Sequence, residues 1–142
     1  MIRYLLDTDT FSLWRRGDEV LATRLRAALA HQSVGISVVT VEEQLGGWFA
    51  LLRRTKTPEQ EARIYTEISR SMQLFALIPV LPLSEASLQR FATLKSQKLN
   101  VGSMDLRIAS LTLELGAVVV TRNRRDYERI PGVVQEDWTI PE

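Results

Sequence analysis

Short apolar runs alternate with longer stretches of helical periodicity along the 142 residues of this chain. The apolar runs predict strands over residues 2–6, 34–39 and 117–121, with a last short strand at residues 133–134. Two prolines interrupt the run at residues 78–83, which limits it to a strand at the edge of a sheet. Strands that are apolar on both faces are typical of parallel sheets covered by helices on both sides.

Residues that cap helices mark the boundaries of the stretches between the strands. The predicted N-caps are Thr40, Thr57, Ser84 and Ser103, and Gly116 is the predicted C-terminal stop. The alternation of strands and helices predicts an α/β fold with a short, mostly parallel central sheet flanked by helices. No repeat, low-complexity tract or long linker divides the chain, so residues 1–142 are expected to form one domain.

The composition narrows the chemistry that this fold can perform. The chain has no cysteine and one histidine, His31, but 17 acidic and 18 basic residues with a net charge of +1. The absence of cysteine excludes disulfides, thiolate nucleophiles and Cys-ligated zinc, and a Ser-His-Asp triad would depend on one imidazole. We therefore expect carboxylate chemistry, assisted by a hard cation.

The hydropathy of the chain bears on its location. No apolar run approaches the roughly 20 residues that span a bilayer. The start of the chain turns polar after six residues, which does not resemble a signal peptide. The expected location is the cytoplasm, without membrane association.

Polar residues follow the predicted strands at the points where functional groups gather in α/β folds. Asp7 ends the first strand, and Asn123 follows the strand at residues 117–121. Glu43 and Asp105 are expected in the first turns of the helices that begin at Thr40 and Ser103. Carboxylate oxygens are the ligands that Mg²⁺ and Mn²⁺ prefer, and a bound cation would offset their mutual repulsion.

Each of these positions also has a purely structural explanation. Glu43 lies three residues after Thr40, as in a capping box, and Asp105 would favour the helix dipole. Asp7 or Asp9 would cap the first helix, and Asn123 would serve in a turn. Asp126, in the same segment as Asn123, would pair with neighbouring arginines. No position decides alone, but four at equivalent ends of strand–helix units are harder to assign to capping.

Four segments that carry these residues match motifs in a fixed order along the chain. Residues 4–9 contain Asp-Thr-Asp, residues 37–43 fit Ser-x-x-Thr-x-x-Glu, and residues 102–109 contain the third acid. Residues 120–127 fit the element Thr-Arg-Asn-x-x-Asp-Phe, and residues 136–138 fit a common ending. Together these segments resemble the PIN-domain ribonucleases, most closely the VapC-like toxins of prokaryotic type II toxin–antitoxin systems. The alignment selects Glu43 rather than Glu42 as the second acid.

The resemblance implies a three-layer PIN-like domain that acts as a hydrolase, an Mg²⁺- or Mn²⁺-dependent endoribonuclease toxin. A metal-activated water would cleave RNA to leave a 5′-phosphate and a 3′-hydroxyl. Asp7, Glu43 and Asp105 would bind the cation, and Asn123 would complete the catalytic set. The supporting residues it implies are Asp9, Ser37, Thr40, Thr121 and Asp126, and the RNA-binding residues are Arg122, Arg124 and Arg125. It also implies a homodimer and a cognate antitoxin that blocks the acidic cleft.

One departure from the family pattern leaves an alternative open. Many PIN domains carry an acid where this chain has Asn123, which would weaken a second metal site. A catalytically silent PIN-like module that binds RNA or a protein partner is therefore the alternative function. A nuclease for DNA or flap structures is a lesser one, because the chain lacks the length for the added elements of such enzymes. The near-neutral net charge does not argue against nucleic-acid binding, because the arginines near Asn123 would supply affinity for phosphate locally.

Overall fold

Five short parallel strands form the central sheet of the computed structural model, which describes residues 1–142. The strands are β1 (Tyr4–Leu6), β2 (Val34–Ser37), β3 (Val80–Leu81), β4 (Val118–Val120) and β5 (Val134–Glu136), in the order β3-β2-β1-β4-β5. All neighbouring pairs are parallel. The predicted parallel sheet is confirmed, and the proline-interrupted run contributes the edge strand β3.

Seven helices cover the sheet. They are α1 (Thr8–Arg15), α2 (Glu19–Ala30), α3 (Val38–Leu52), α4 (Pro58–Phe75), α5 (Glu85–Ser96), α6 (Ser103–Leu115) and α7 (Arg124–Tyr127). Leu5 packs into a core with α5 and α6, whereas its neighbour Leu6 packs into a core with α1 and α2. Because successive side chains of a strand point to opposite faces, the helices lie on both sides of the sheet and form three layers. No helix is both long and apolar enough to cross a membrane.

The register of the three central strands sets the position of the candidate site. Leu6 is level with Ile36 in β2 and with Val120 in β4. The residues that follow these three positions are Asp7, Ser37 and Thr121. They therefore lie side by side at the carboxyl edge of the sheet, where the loops to α1, α3 and α7 begin.

Two of the predicted N-caps, Thr40 and Ser103, are wrong, although the second of these helices begins at Ser103 as predicted. The strand expected at residues 34–39 ends at Ser37, whose Oγ accepts a hydrogen bond from the Val39 N–H at 3.0 Å and caps α3. Thr40 is therefore inside the helix, and Glu43 lies in its second turn rather than in a capping box. Helix α6 begins at Ser103 behind Gly102, which makes no side-chain cap, so Ser103 is the first helical residue and not the N-cap.

The other predicted boundaries are confirmed. Thr57 and Ser84 accept hydrogen bonds from the backbone N–H groups of Gln60 and Ser87, at 3.2 and 3.0 Å. Gly116 ends α6 with a φ of 63°, a left-handed conformation that glycine adopts without steric cost.

Candidate active site

Asp7 lies at the centre of the carboxyl edge and is only 2% exposed. Its Oδ1 accepts a hydrogen bond from the Thr10 N–H at 2.9 Å, which makes it the N-cap of α1. Its Oδ2 accepts a hydrogen bond from the Thr121 hydroxyl at 2.6 Å. Burial raises the pKa of Asp7 above its usual value, although both hydrogen bonds oppose the shift. Asp7 thus caps a helix and is also a buried carboxylate without a basic partner.

Glu43 is tied to the start of α1 by a threonine. The Thr8 hydroxyl donates to Glu43 Oε1 at 2.6 Å, and the hydroxyls of Thr8 and Thr40 lie 3.0 Å apart. Thr8 directly follows Asp7 in the chain, so this contact holds the half-buried Glu43 close to the end of β1.

Asp105 is the third residue of α6. Its surroundings shift its pKa upward. Burial, followed by the negative charges of Asp7, Glu43 and Asp126, raises its pKa to about 6. The hydroxyl of the fully buried Tyr127 donates to Asp105 Oδ1 at 3.5 Å. Burial and the carboxylates of Asp7, Asp105 and Glu43 also raise the pKa of Tyr127 well above its usual value. The charges of Asp7 and Glu43 therefore lie close enough to Asp105 to shift its pKa, and the three predicted acids share one site.

Asn123 joins this site through its neighbours. Its backbone N–H donates to Thr121 Oγ1 at 2.8 Å, and its Nδ2 donates to Asp126 Oδ2 at 2.8 Å. Asp126 also forms an ion pair with Arg129 at 3.3 Å. The structure thus links Asn123 to Asp7 through Thr121. It also links Asn123 to Asp126, whose charge contributes to the raised pKa of Asp105.

The supporting residues predicted from the sequence fall into two groups. Thr121 contacts Asp7, and Thr40 reaches Glu43 through Thr8. Ser37 instead caps α3, and the half-exposed Asp9 pairs with Arg122 at 3.3 Å. Thr121 is therefore hydrogen-bonded directly to one of the three acids and Thr40 indirectly, whereas Ser37 and Asp9 have other partners.

Sequence reasoning missed two hydroxyls that contact the acids. Thr8 stands between the two aspartates of the first motif, which was the available signal. Tyr127 occupies the position of phenylalanine in the Thr-Arg-Asn-x-x-Asp-Phe element, and nothing in the sequence linked it to Asp105.

The carboxylate oxygens of these acids are of the type that binds a hard cation, but the acids are too far apart for all of them to bind one ion directly. No three acidic or histidine side chains lie close enough together to hold one metal ion directly. However, Mg²⁺ is typically held by one or two carboxylates together with several waters. Burial and, after it, the charges of the neighbouring carboxylates raise the pKa of Asp105, and a bound cation would relieve this repulsion. The donor set therefore fits an ion bound by one or two acids directly and by the others through water.

The predicted RNA-binding arginines are exposed near this edge. Arg122 pairs with Asp9 at 3.3 Å and Arg124 with Glu128 at 2.8 Å, whereas Arg125 forms no ion pair. Arg122 and Asn123, with Asp9 and Asp137, line an open cleft of about 450 Å³. Arg122 is the one predicted RNA-binding arginine that lines this cleft, and none of the three predicted acids does.

The PIN domain family matches residues 4–133, which include Asp7, Glu43, Asp105 and Asp126. The chain belongs to the PIN domain family. It is 30% identical to the tRNA(fMet)-specific endonuclease VapC of Shigella flexneri, covering 98% of this chain and 100% of that relative. It is 28% identical to ribonuclease VapC1 of Haemophilus influenzae strain R2866, covering 96% and 98%. The structure of DNA-bound VapBC from Salmonella typhimurium superimposes with a TM-score of 0.80 at 25% identity, covering 97% of this chain and 99% of that one.

These comparisons confirm the resemblance to PIN-domain, VapC-like proteins and the PIN-like three-layer fold. They cover nearly the whole of this PIN domain and of its relatives. The roles of its individual residues remain predictions, which the geometry of the acids supports.

Proposed function

We propose that this PIN domain is an endoribonuclease toxin that hydrolyses RNA phosphodiester bonds with Mg²⁺ or Mn²⁺. The observation that carries the proposal is that Asp7, directly after β1, and Glu43 in α3 lie close enough to Asp105 in α6 for their charges to raise its pKa. The names of the relatives, ribonuclease VapC1 and tRNA(fMet)-specific endonuclease, support the same reaction.

In this proposal Asp7, Glu43 and Asp105 hold the cation. When bound, the cation orients and acidifies a water and offsets the charge that builds on the phosphate. The chain fixes two of these acids by short hydroxyl hydrogen bonds, from Thr121 to Asp7 and from Thr8 to Glu43. In-line attack of water on the phosphorus would break the P–O3′ bond, and protonation of the leaving oxygen would give a 3′-hydroxyl beside a 5′-phosphate.

The substrate is proposed to be a structured RNA, with transfer RNA as the first to assay because of the named relatives. Arg124 and Arg125 are exposed beside Asn123 and would contact backbone phosphates. Of the three predicted arginines, Arg122 is the one already engaged by an acid of the cleft, Asp9.

Two protein partners belong to the proposal. An antitoxin is supported by the similarity to VapBC structures, and a homodimer remains a prediction. An apolar stripe on α3 could serve such an association, because Phe49 is 45% exposed and its neighbours Leu45, Trp48 and Leu52 are half-buried. Light scattering of the purified chain, alone and coexpressed with the product of an adjacent small reading frame, measures both associations.

Metal removal tests the reaction directly. Purified protein incubated with transfer RNA and Mn²⁺ is expected to produce discrete fragments with 5′-phosphates, and EDTA is expected to stop cleavage. Excess Mn²⁺ added after EDTA should restore it, which excludes denaturation as the cause. Cleavage that continues in EDTA would contradict the mechanism, and the absence of Mn²⁺ binding at millimolar metal would favour the silent module that Asn123 first indicated.

The pH dependence gives a second expected result. Asp105 has a pKa raised to about 6, so below that pH a proton competes with the cation for its carboxylate. We expect kcat/KM at low Mn²⁺ to fall about tenfold for each pH unit below about 6. Saturating Mn²⁺ should move this acid limb to lower pH, and a limb that does not respond to Mn²⁺ would contradict the assignment of Asp105.

A further inference from the structure

Tyr127 is a buried polar side chain whose role in this site is not explained by packing alone. Its ring is 0% exposed and lies in the core formed by Leu5, Leu106 and Ile108. Its hydroxyl donates to Asp105 Oδ1 at 3.5 Å, and no other side chain forms a hydrogen bond with the Asp105 carboxylate. The hydroxyl of a core residue is therefore directed at the acid that the other carboxylates repel most clearly.

The contact completes a pattern around the three acids. Asp7 accepts a hydroxyl hydrogen bond from Thr121, and Glu43 accepts one from Thr8, both at 2.6 Å. Tyr127 supplies the third hydroxyl, to Asp105. Each acid thus has one hydroxyl donor from a different segment of the chain, and each donor engages only one carboxylate oxygen.

We propose that Tyr127 is a positioning residue, whose hydroxyl fixes one oxygen of Asp105 and leaves the other free for the cation. The core holds the ring, so the hydroxyl has little freedom to follow the carboxylate if it turns away. The proposal rests on the proposed function, because it assigns Asp105 to cation binding. The family element has phenylalanine here, so removal of the hydroxyl leaves a ring that this fold accommodates.

Mn²⁺ titration of Tyr127→Phe tests the proposal, with Tyr4→Phe as the matched control. The Tyr4 hydroxyl has no hydrogen-bond partner, and its ring packs against Trp138. Calorimetry at pH 7.5, above the pKa of about 6 for Asp105, measures affinity without protonation of that acid. Loss of a group that orients a metal ligand is expected to weaken Mn²⁺ binding about tenfold. The melting temperature of the metal-free protein should not change, and Tyr4→Phe should bind Mn²⁺ as the unmodified chain does.

Cleavage supplies a readout that a purely structural role would not move. Tyr127→Phe should cleave more slowly at limiting Mn²⁺ and regain the unmodified rate at saturating Mn²⁺. Equal Mn²⁺ affinities in Tyr127→Phe and the unmodified chain would overturn the proposal.

Failure of the proposed function is a distinct outcome. If the unmodified chain binds no Mn²⁺, the proposed function fails, and the positioning role of Tyr127 fails with it. If the unmodified chain binds Mn²⁺ and cleaves RNA while Tyr127→Phe binds Mn²⁺ equally well, only the positioning role is overturned.

Discussion

Replacement of Asp7 with asparagine is expected to lower RNA cleavage by about two to three orders of magnitude, because it removes several kcal/mol of charge stabilisation. Asp7 is the most buried of the three acids and the one at the centre of the sheet edge. Asparagine keeps the shape and the helix cap, since its side-chain oxygen can accept the Thr10 N–H. Its amide N–H can donate to the Thr121 oxygen, but the Thr121 hydroxyl then loses the acceptor that Asp7 Oδ2 provides.

The same substitution should not destabilise the metal-free protein at neutral pH. A carboxyl group whose pKa is raised on folding stabilises the fold while it is protonated, and this contribution is lost as the pH rises through the raised pKa. The pKa of Asp7 is raised by burial, so its charge opposes folding at pH 7. Thermal unfolding in EDTA should therefore show Asp7→Asn to be at least as stable as the unmodified chain at pH 7, with any gain disappearing at acidic pH.

Asp18→Asn is the matched control for this experiment. Asp18 caps α2 by accepting the Leu21 N–H at 2.9 Å, as Asp7 caps α1, but it lies outside the acidic site. Asp18→Asn is expected to cleave RNA at the unmodified rate. Equal activity of the two variants would show that Asp7 acts only as a cap.

The positions of the acids could be predicted because they depend on the register of the sheet. The apolar pattern predicted β1 and β4, and parallel pairing brings their carboxyl ends, and so Asp7 and Thr121, to one edge. The local structure around Glu43 was predicted less well. Its strand and helix meet in a run of β-branched residues, whose strand preference is overridden by the Ser37 cap. The strand is therefore shorter than expected, and Glu43 lies one turn further along the helix.

Two of the three hydroxyl partners, Thr8 and Tyr127, could not be predicted, because their contacts join segments distant in the chain. Thr8 and Glu43 are 35 residues apart, and Tyr127 and Asp105 are 22 apart. Helical and strand periodicity predict which face a residue occupies but not which side chain it meets across the fold. The assignment of Ser37 and Asp9 as supporting residues came from the motif alone, and the structure gives both of them other partners.

Replacement of Trp138 is expected to change stability more than replacement of Asp7. Trp138 lies beyond the residues that the family model matches. Its ring is 4% exposed and meets the Tyr4 ring edge-to-face, with centroids 4.9 Å apart. The Arg24 guanidinium lies 5.5 Å from the centre of the indole ring, and the indole N–H donates to Glu136 at 3.0 Å. Trp138→Ala is expected to lower the free energy of unfolding by about 3–5 kcal/mol, as measured in urea.

Replacement of Trp138 is also expected to affect the acidic site, because β5 connects the two. The Thr121 N–H donates to the Glu136 carbonyl at 2.9 Å, and the Thr121 hydroxyl holds Asp7. Because Trp138 anchors the chain directly after β5, its loss is expected to loosen this strand and to weaken Mn²⁺ binding even below the melting temperature. Trp138→Phe keeps an aromatic ring against Tyr4 and should recover most of the stability. A free energy of unfolding that changes by less than about 1 kcal/mol in Trp138→Ala would show that the C-terminal segment does not support the sheet edge.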